Sequence, residues 1–263
     1  MKVIRVRASS LWELCDCALR WEKKHLRGLW LPSTPPAAIG TAVHASTAAF
    51  DQSVIEGTGL TIDDTAGLAV DSIERPAEEV NWAGHRQEKA VETAIKVHTT
   101  YCTEIAPTQN YTQVEMRMEP LRIDMGDGII FELTGTLDRI REIGGLRGVG
   151  DVKTGIRAVS ADGTVCVDKH LPQLGEYVLL AEYAFGPMEL PPVIIGLHTG
   201  GSGRAGIGEI HGAKEALIGD GTMPGILQFV AQYFKSGLFP PNPGSFLCSS
   251  KYCPFYKQCP YHG

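Results

Sequence analysis

Two consecutive glycines, Gly144-Gly145, constrain this chain more than any other feature. They separate residues 133–143 from 146–153, two runs rich in β-branched and aliphatic side chains, and a two-glycine spacer between such runs predicts a tight β-hairpin. With that turn in place the facing pairs are fixed. Ile143 faces Leu146, Glu142 meets Arg147, Ile140 meets Val149 and Asp138 meets Asp151. Facing residues have Cβ atoms about 4.5–5.5 Å apart, and like charges placed so repel. A cation between the two carboxylates removes the conflict. Lys153 falls on the face of Asp151 by strand alternation, so the hairpin gathers Asp138, Asp151 and Lys153 beside Thr136. A hairpin with all its charges in water would leave the opposed aspartates unexplained while Glu142 and Arg147 pair correctly. The pattern reads as a divalent-metal site with a cationic neighbour.

A chain of 263 residues can bury a substantial core, and the reading is one domain, 1–263. Net charge −6 advertises no general affinity for nucleic acid, so a nucleic-acid enzyme of this balance must concentrate Lys and Arg around its cleft. No run of 18 apolar residues is present, which predicts no membrane span. The opening MKVIRVRASS lacks the apolar region and cleavage site of a signal peptide. Seven cysteines without an export signal argue for reduced thiols or metal ligation in the cytoplasm over a disulfide framework.

The periodicities predict helices over about 9–27 (capped by Ser9-Ser10), 40–54, 63–75 and 77–105, making 1–110 mostly helical. Period-2 patterning begins at Tyr111, and 111–200 reads as the core. It holds a strand over 111–118, the hairpin, a helix from Pro172 to about Phe185 and a buried strand over 191–198. Residues 200–208 read as a flexible glycine-rich connection and 223–236 as a last helix. The expected class is α/β, a mixed central sheet flanked by helices.

The tail, 239–263, carries Cys248, Cys253 and Cys259 among prolines and aromatics. Three cysteines within twelve residues read as thiolate ligands for zinc or an iron–sulfur cluster. A fourth ligand must come from elsewhere: Cys15 or Cys17, with Cys102 and Cys166 as more distant candidates, or His262 in a zinc site.

Asp138 in GTLDRI, followed by Asp151 and Lys153 in GDVKTG, resembles the core motif of the PD-(D/E)xK nucleases. More narrowly it resembles the RecB-type nuclease domain and the related CRISPR-associated and phage exonucleases. The resemblance extends in order to Ser9, Leu11, Leu14, Cys17 and Trp21, to Gly40–His44, to Glu115, to Gln173 and Tyr177, and to the tail cysteines. It departs at Leu14, where the family has an aromatic, and at Ala18, where it has proline; residues 56–110 and 199–222 match nothing in it.

The resemblance implies a restriction-endonuclease-like core and a metal-dependent exonuclease acting on single-stranded or end-containing DNA. Its Mg²⁺ or Mn²⁺ would be held by His44, Asp138, Asp151 and the Val152 carbonyl. Asp138, Asp151, Lys153, Gln173 and Tyr177 would carry the catalysis, Lys153 at the attacking water and Gln173 and Tyr177 at the DNA backbone. The family also implies a [4Fe–4S] cluster on Cys17, Cys248, Cys253 and Cys259 that clamps the tail to the N-terminal segment. Recombination, replication or CRISPR-adaptation proteins are the implied partners. The alternative is a non-catalytic nucleic-acid-binding or assembly module with a zinc site.

Overall fold

The computed structural model describes residues 1–201 and 203–262. The chain opens with strand β1 (Lys2–Arg7), which runs directly into α1 (Ala8–Asp16) and then α2 (Ala18–Trp21). A long α3 (Pro35–Glu56), α4 (Ile62–Glu74) and α5 (Gln87–Thr100) follow. Strands β2 (Tyr111–Arg117), β3 (Leu121–Asp124), β4 (Ile129–Thr134), β5 (Thr136–Ile143) and β6 (Leu146–Gly155) come next. The chain then crosses over through α6 (Leu171–Phe185) to β7 (Val193–His198), and closes with β8 (Ala205–Glu209), α7 (Ala213–Ile218) and α8 (Ile226–Ser236).

The strands form two sheets where one central sheet was expected. One is ordered β1-β4-β3, with β1 parallel to β4; the other is ordered β2-β5-β6-β7-β8. In the second, β6 is antiparallel to β5 and parallel to β7. This is a mixed α/β fold with mixed sheets flanked by helices. The α1, α6, α7 and α8 side packs Leu11, Leu14, Leu174, Leu217 and Phe234 around Phe131, Ile140 and Val149. The α3–α5 side packs Val43, Ala69 and Val97 on Val152, Val193 and Ile195. Val149 and Val152 of one strand serve opposite layers, as strand alternation requires.

The hairpin register is as read from Gly144-Gly145: Ile143↔Leu146, Glu142↔Arg147 and Ile140↔Val149. Both glycines take positive φ, 60° and 84°, the requirement of a turn whose twist matches its strands. The run 133–143 is not one strand. It breaks at Gly135 between β4 and β5, which lie in different sheets; a Cβ there would sit 2.8 Å from Tyr177 Cε1.

Other boundaries also moved. The first helix starts at Ala8, with Arg7 as N-cap and no side-chain cap, because β1 enters it directly; the Ser10 hydroxyl instead donates to the Arg7 carbonyl. It also breaks at Cys17, whose backbone is extended (φ −141°, ψ 92°). The helix expected over 77–105 keeps α5 and a π-helical turn, Tyr101–Ile105; Val80 is drawn into a bridge with Ser33 instead. The glycine-rich 200–208 segment holds β8, where Gly206 and Gly208 lie so close to Val165 and Val167 that a Cβ would meet them at 3.0 and 2.7 Å. No helix among the described residues is long and apolar enough to cross a membrane.

Candidate active site

The site lies where the larger sheet forks. The β5–β6 ladder runs to Arg139↔Gly150, and from Gly150 onward β6 pairs with β7. Asp138 and Asp151 would be the next pair, one step past the last. Beyond this point β5 stays with β2, through Leu137↔Met116 and Thr136↔Arg117. The Val152 peptide faces the gap, and side chains satisfy it. Its N–H donates to Asp138 Oδ2 at 2.8 Å, and His44 Nε2–H donates to its carbonyl at 2.8 Å. That bond places the ring hydrogen on Nε2 and leaves Nδ1 free to accept. His44 Nδ1 lies 3.4 Å from Asp138 Oδ2 and 3.7 Å from Glu115 Oε1.

His44, Glu115 and Asp138 each offer a ligand atom, all within 4.8 Å of one another, and no other trio of His, Cys, Asp or Glu among the described residues does so. Imidazole nitrogen beside two carboxylates is a donor set that suits Mg²⁺ or Mn²⁺. Glu115 reaches its position from a left-handed backbone, φ 47°, a strained conformation for a non-glycine residue in a strand. The Val152 carbonyl, expected as a ligand, is taken up by His44 in this structure.

Asp151 stands beside the trio. Its oxygens meet Lys153 Nζ at 2.7 Å and Gln173 Nε2 at 3.1 Å. Burial pushes its carboxyl up to about 6; Lys153 opposes the rise and Asp138 adds to it. Burial alone would lower the Lys153 ammonium, but Asp151 and Asp138 outweigh it and hold the charge. The same balance raises His44, where Asp138 and Glu115 overcome burial. Gln173 also donates to the Tyr177 hydroxyl at 3.2 Å. Both residues are buried yet line the cleft, so the expected approach to a DNA backbone would be through the cleft wall. The cleft holds about 880 Å³ and is rimmed by Arg5, Arg7 and Arg117. Arg5 is spent on Glu132, whereas Arg7 and Arg117 have no ion-pair partner among the described residues.

Beneath the cleft lies a network that the sequence reading missed. Arg139 is fully buried and donates to Asp51 (2.6 Å), Thr47 Oγ1 (3.2 Å) and the Asp138 carbonyl (2.8 Å). Asp51 also accepts from Tyr101, whose hydroxyl lies 3.3 Å from that of Tyr111. The signal was present in α3: His44, Thr47 and Asp51 fall at i, i+3 and i+7, one helix face.

The family model of the PD-(D/E)XK nuclease superfamily matches residues 5–260. The chain belongs to the PD-(D/E)XK nuclease superfamily. Among solved structures, a Eubacterium rectale protein described as a putative exonuclease superposes with TM-score 0.52 over 88% of this chain and 78% of its own, at 15% identity. A second, SSO0001, aligns over 66% of this chain and 76% of its own at 16% identity and TM-score 0.35, too loose a superposition to bear on the fold. No significant match is found among curated proteins.

At the C-terminal end of α1 in this PD-(D/E)XK chain, Cys17, Cys248, Cys253 and Cys259 line one small apolar cavity with Arg20 and Tyr256. Cys17 reaches it because the helix breaks there. The tail is tied down by Arg20, which donates to the Tyr252 carbonyl at 3.0 and 2.9 Å, and by Asp16, which accepts from Asn242 and Ser245. Cys15 and Cys166 are exposed elsewhere, and Cys102 is buried against His98. The His262 ring lies tilted against that of Tyr256, with centroids 4.4 Å apart, and His262 is not among the residues lining the cavity.

Proposed function

We propose that this chain is a metal-dependent deoxyribonuclease, an exonuclease acting on single-stranded or end-containing DNA. The observation that supports it most is the fork, which sets a His–Glu–Asp trio and a held Lys–Asp pair side by side in one cleft. His44, Glu115 and Asp138 would hold Mg²⁺ or Mn²⁺, with Asp151 at its edge. A divalent ion in such a site supplies Lewis acidity and an activated water. Lys153 offsets charge developing on the attacked phosphate and orients the water. Gln173 keeps Asp151 turned toward the cleft, and Tyr177 fixes Gln173. Arg7 and Arg117 contact backbone phosphates at the rim.

The four cysteines of the cavity would carry a [4Fe–4S] cluster. A tetrahedral zinc site, with Zn–S near 2.3 Å, sets its sulfurs about 3.8 Å apart. No three cysteine sulfurs lie within 4.8 Å of one another among the described residues, which favours the larger cluster. Residues at both chain ends would hold it, and its role is structural.

The reading is tested by incubating the full chain with end-labelled single- and double-stranded DNA, in Mn²⁺ and in EDTA. Stepwise shortening of the label in Mn²⁺ alone is expected. DNA left intact in both Mg²⁺ and Mn²⁺ would overturn the nuclease reading in favour of a binding module.

A further inference from the structure

One helix face joins the cleft to the cysteine pole. On α1, Ser9 lines the cleft, and Trp12 lies three residues on, hence on the same face. Asp16, one turn further, binds Asn242 and Ser245 of the tail. Across from it, Lys169 stands four residues before the cleft residue Gln173, in the segment that leads into α6. The Lys169 ammonium lies 5.7 Å over the Trp12 ring and 5.3 Å over that of Phe246, within cation–π reach. Phe246 is 63% exposed. Its ring lies 5.3 Å from that of Tyr252, which carries Lys251 at 5.1 Å.

Three rings and two ammonium groups therefore continue outward from the cleft wall. None of the rings belongs to either apolar core, so packing does not account for them. Neither ammonium has a carboxylate partner among the described residues. Aromatic faces alternating with unpaired cations suit a polyanion whose bases are free to stack. Duplex DNA matches the charge but keeps its base faces occupied by stacking within the helix. A peptide partner would gain from the rings but leave the ammonium groups unmatched.

We infer that Trp12, Phe246 and Tyr252, with Lys169 and Lys251, form a stacking strip for the unpaired bases of a DNA strand whose backbone enters the cleft. The inference rests on the nuclease reading and names its substrate as single-stranded. On binding, Lys169 leaves the ring faces to a base and turns to a phosphate. The strip is carried partly by the loop that bears Cys248, so the cysteine pole presents it.

The test uses the full chain, purified without oxygen, in Ca²⁺-free EDTA buffer so that binding is read without cleavage. Affinity for a fluorescein-labelled oligothymidylate and for a duplex of equal length is measured by anisotropy over a salt series. Phe246→Ala and Trp12→Ala should each weaken strand binding between about 5-fold and 150-fold, the range of base–aromatic stacking. Duplex affinity should stay at the wild-type value, and Phe246→Tyr should restore the strand. Lys169→Ala should lower the salt slope for the strand by roughly 0.7. Equal losses for strand and duplex, or no loss in Phe246→Ala, overturn the strip. Because Phe246 is exposed, its variant decides the matter even if Trp12→Ala fails to fold. Metal-dependent hydrolysis of bis-p-nitrophenyl phosphate, too small to span the strip, should be unchanged in Phe246→Ala. A wild-type chain that shows the binding pattern but hydrolyses neither DNA nor this ester keeps the strip and removes the nuclease reading.

Discussion

The cleft and the cysteine pole both bring distant residues to one point, but by opposite means. The cleft draws on α3, β2, β5, β6 and α6, elements held by ladders and by the buried Arg139–Asp51 pair. Its side chains are aimed by backbone that would be in place without an ion. At the pole, Cys17 sits in a helix break and its partners in turns with a single short 3₁₀ turn, Tyr256–Gln258. There the proposed cluster would supply much of the order. A site on regular elements keeps its shape when emptied, whereas one on turns takes folding energy from what it binds.

The widest separation between the two regions should come from the pole. Cys17→Ala is expected to bleach anaerobically purified protein completely and to lower its solubility, while Cys15→Ala, Cys102→Ala and Cys166→Ala stay brown. Visible absorbance with iron and sulfide analysis reads the result, and stoichiometric zinc in colourless wild type would break the comparison at its root. Next, Asp138→Ala should reduce DNA cleavage on the order of 10³-fold, the loss of several kcal/mol of transition-state stabilisation, while the brown colour persists. Single-turnover rates in Mn²⁺ measure it, and cleavage near the wild-type rate would move the active site elsewhere.

Arg139→Met addresses the claim that the cleft orders itself. It strands Asp51, itself raised by burial against the pull of Arg139, and should cost about 3–5 kcal/mol of stability. Urea denaturation would show it; a loss under about 1 kcal/mol would mean that the buried pair is not what holds the floor. The smallest effect concerns pH. Asp151, pushed up to about 6, and His44, also raised, both take up protons as pH falls. A neutral Asp151 and a protonated His44 Nδ1 weaken the site, so Mn²⁺ affinity should decline as pH falls, His44 contributing from above the ordinary imidazole range and Asp151 through about 6. The decline is up to roughly tenfold per pH unit for each proton displaced. Calorimetric titration checks it, and a flat profile would place the ion away from both groups.

What could be read in advance followed from short-range rules. Gly144-Gly145 fixed five strand pairs because turn geometry and strand alternation act locally. Whatever depended on distant partners was hidden. β1 is made by its parallel pairing with β4, more than 120 residues away, so its six residues carry no turn signal. β8 looked like a linker because its glycines serve close packing on Val165 and Val167. In the site, motif order led to His44, Glu115, Asp138 and Asp151. The closeness of Glu115 depends on its left-handed backbone, which side-chain type does not encode. Arg139 adjoins Asp138 in sequence, but its pairing is with Asp51, 88 positions away, which no local pattern reveals.

The Val152 peptide also limits how such a chain can drift over generations. Its N–H and carbonyl have Asp138 and His44 as partners. A lineage released from selection for cleavage still cannot discard those two side chains freely, since an orphaned buried backbone group costs about 1–3 kcal/mol against a native margin of roughly 5–15 kcal/mol. Asp151 and Lys153 neutralise each other and can disappear together at less penalty. Descendants that have fallen silent should therefore lose the Asp151–Lys153 pair first and keep Asp138 and His44 as fossils of the lost chemistry.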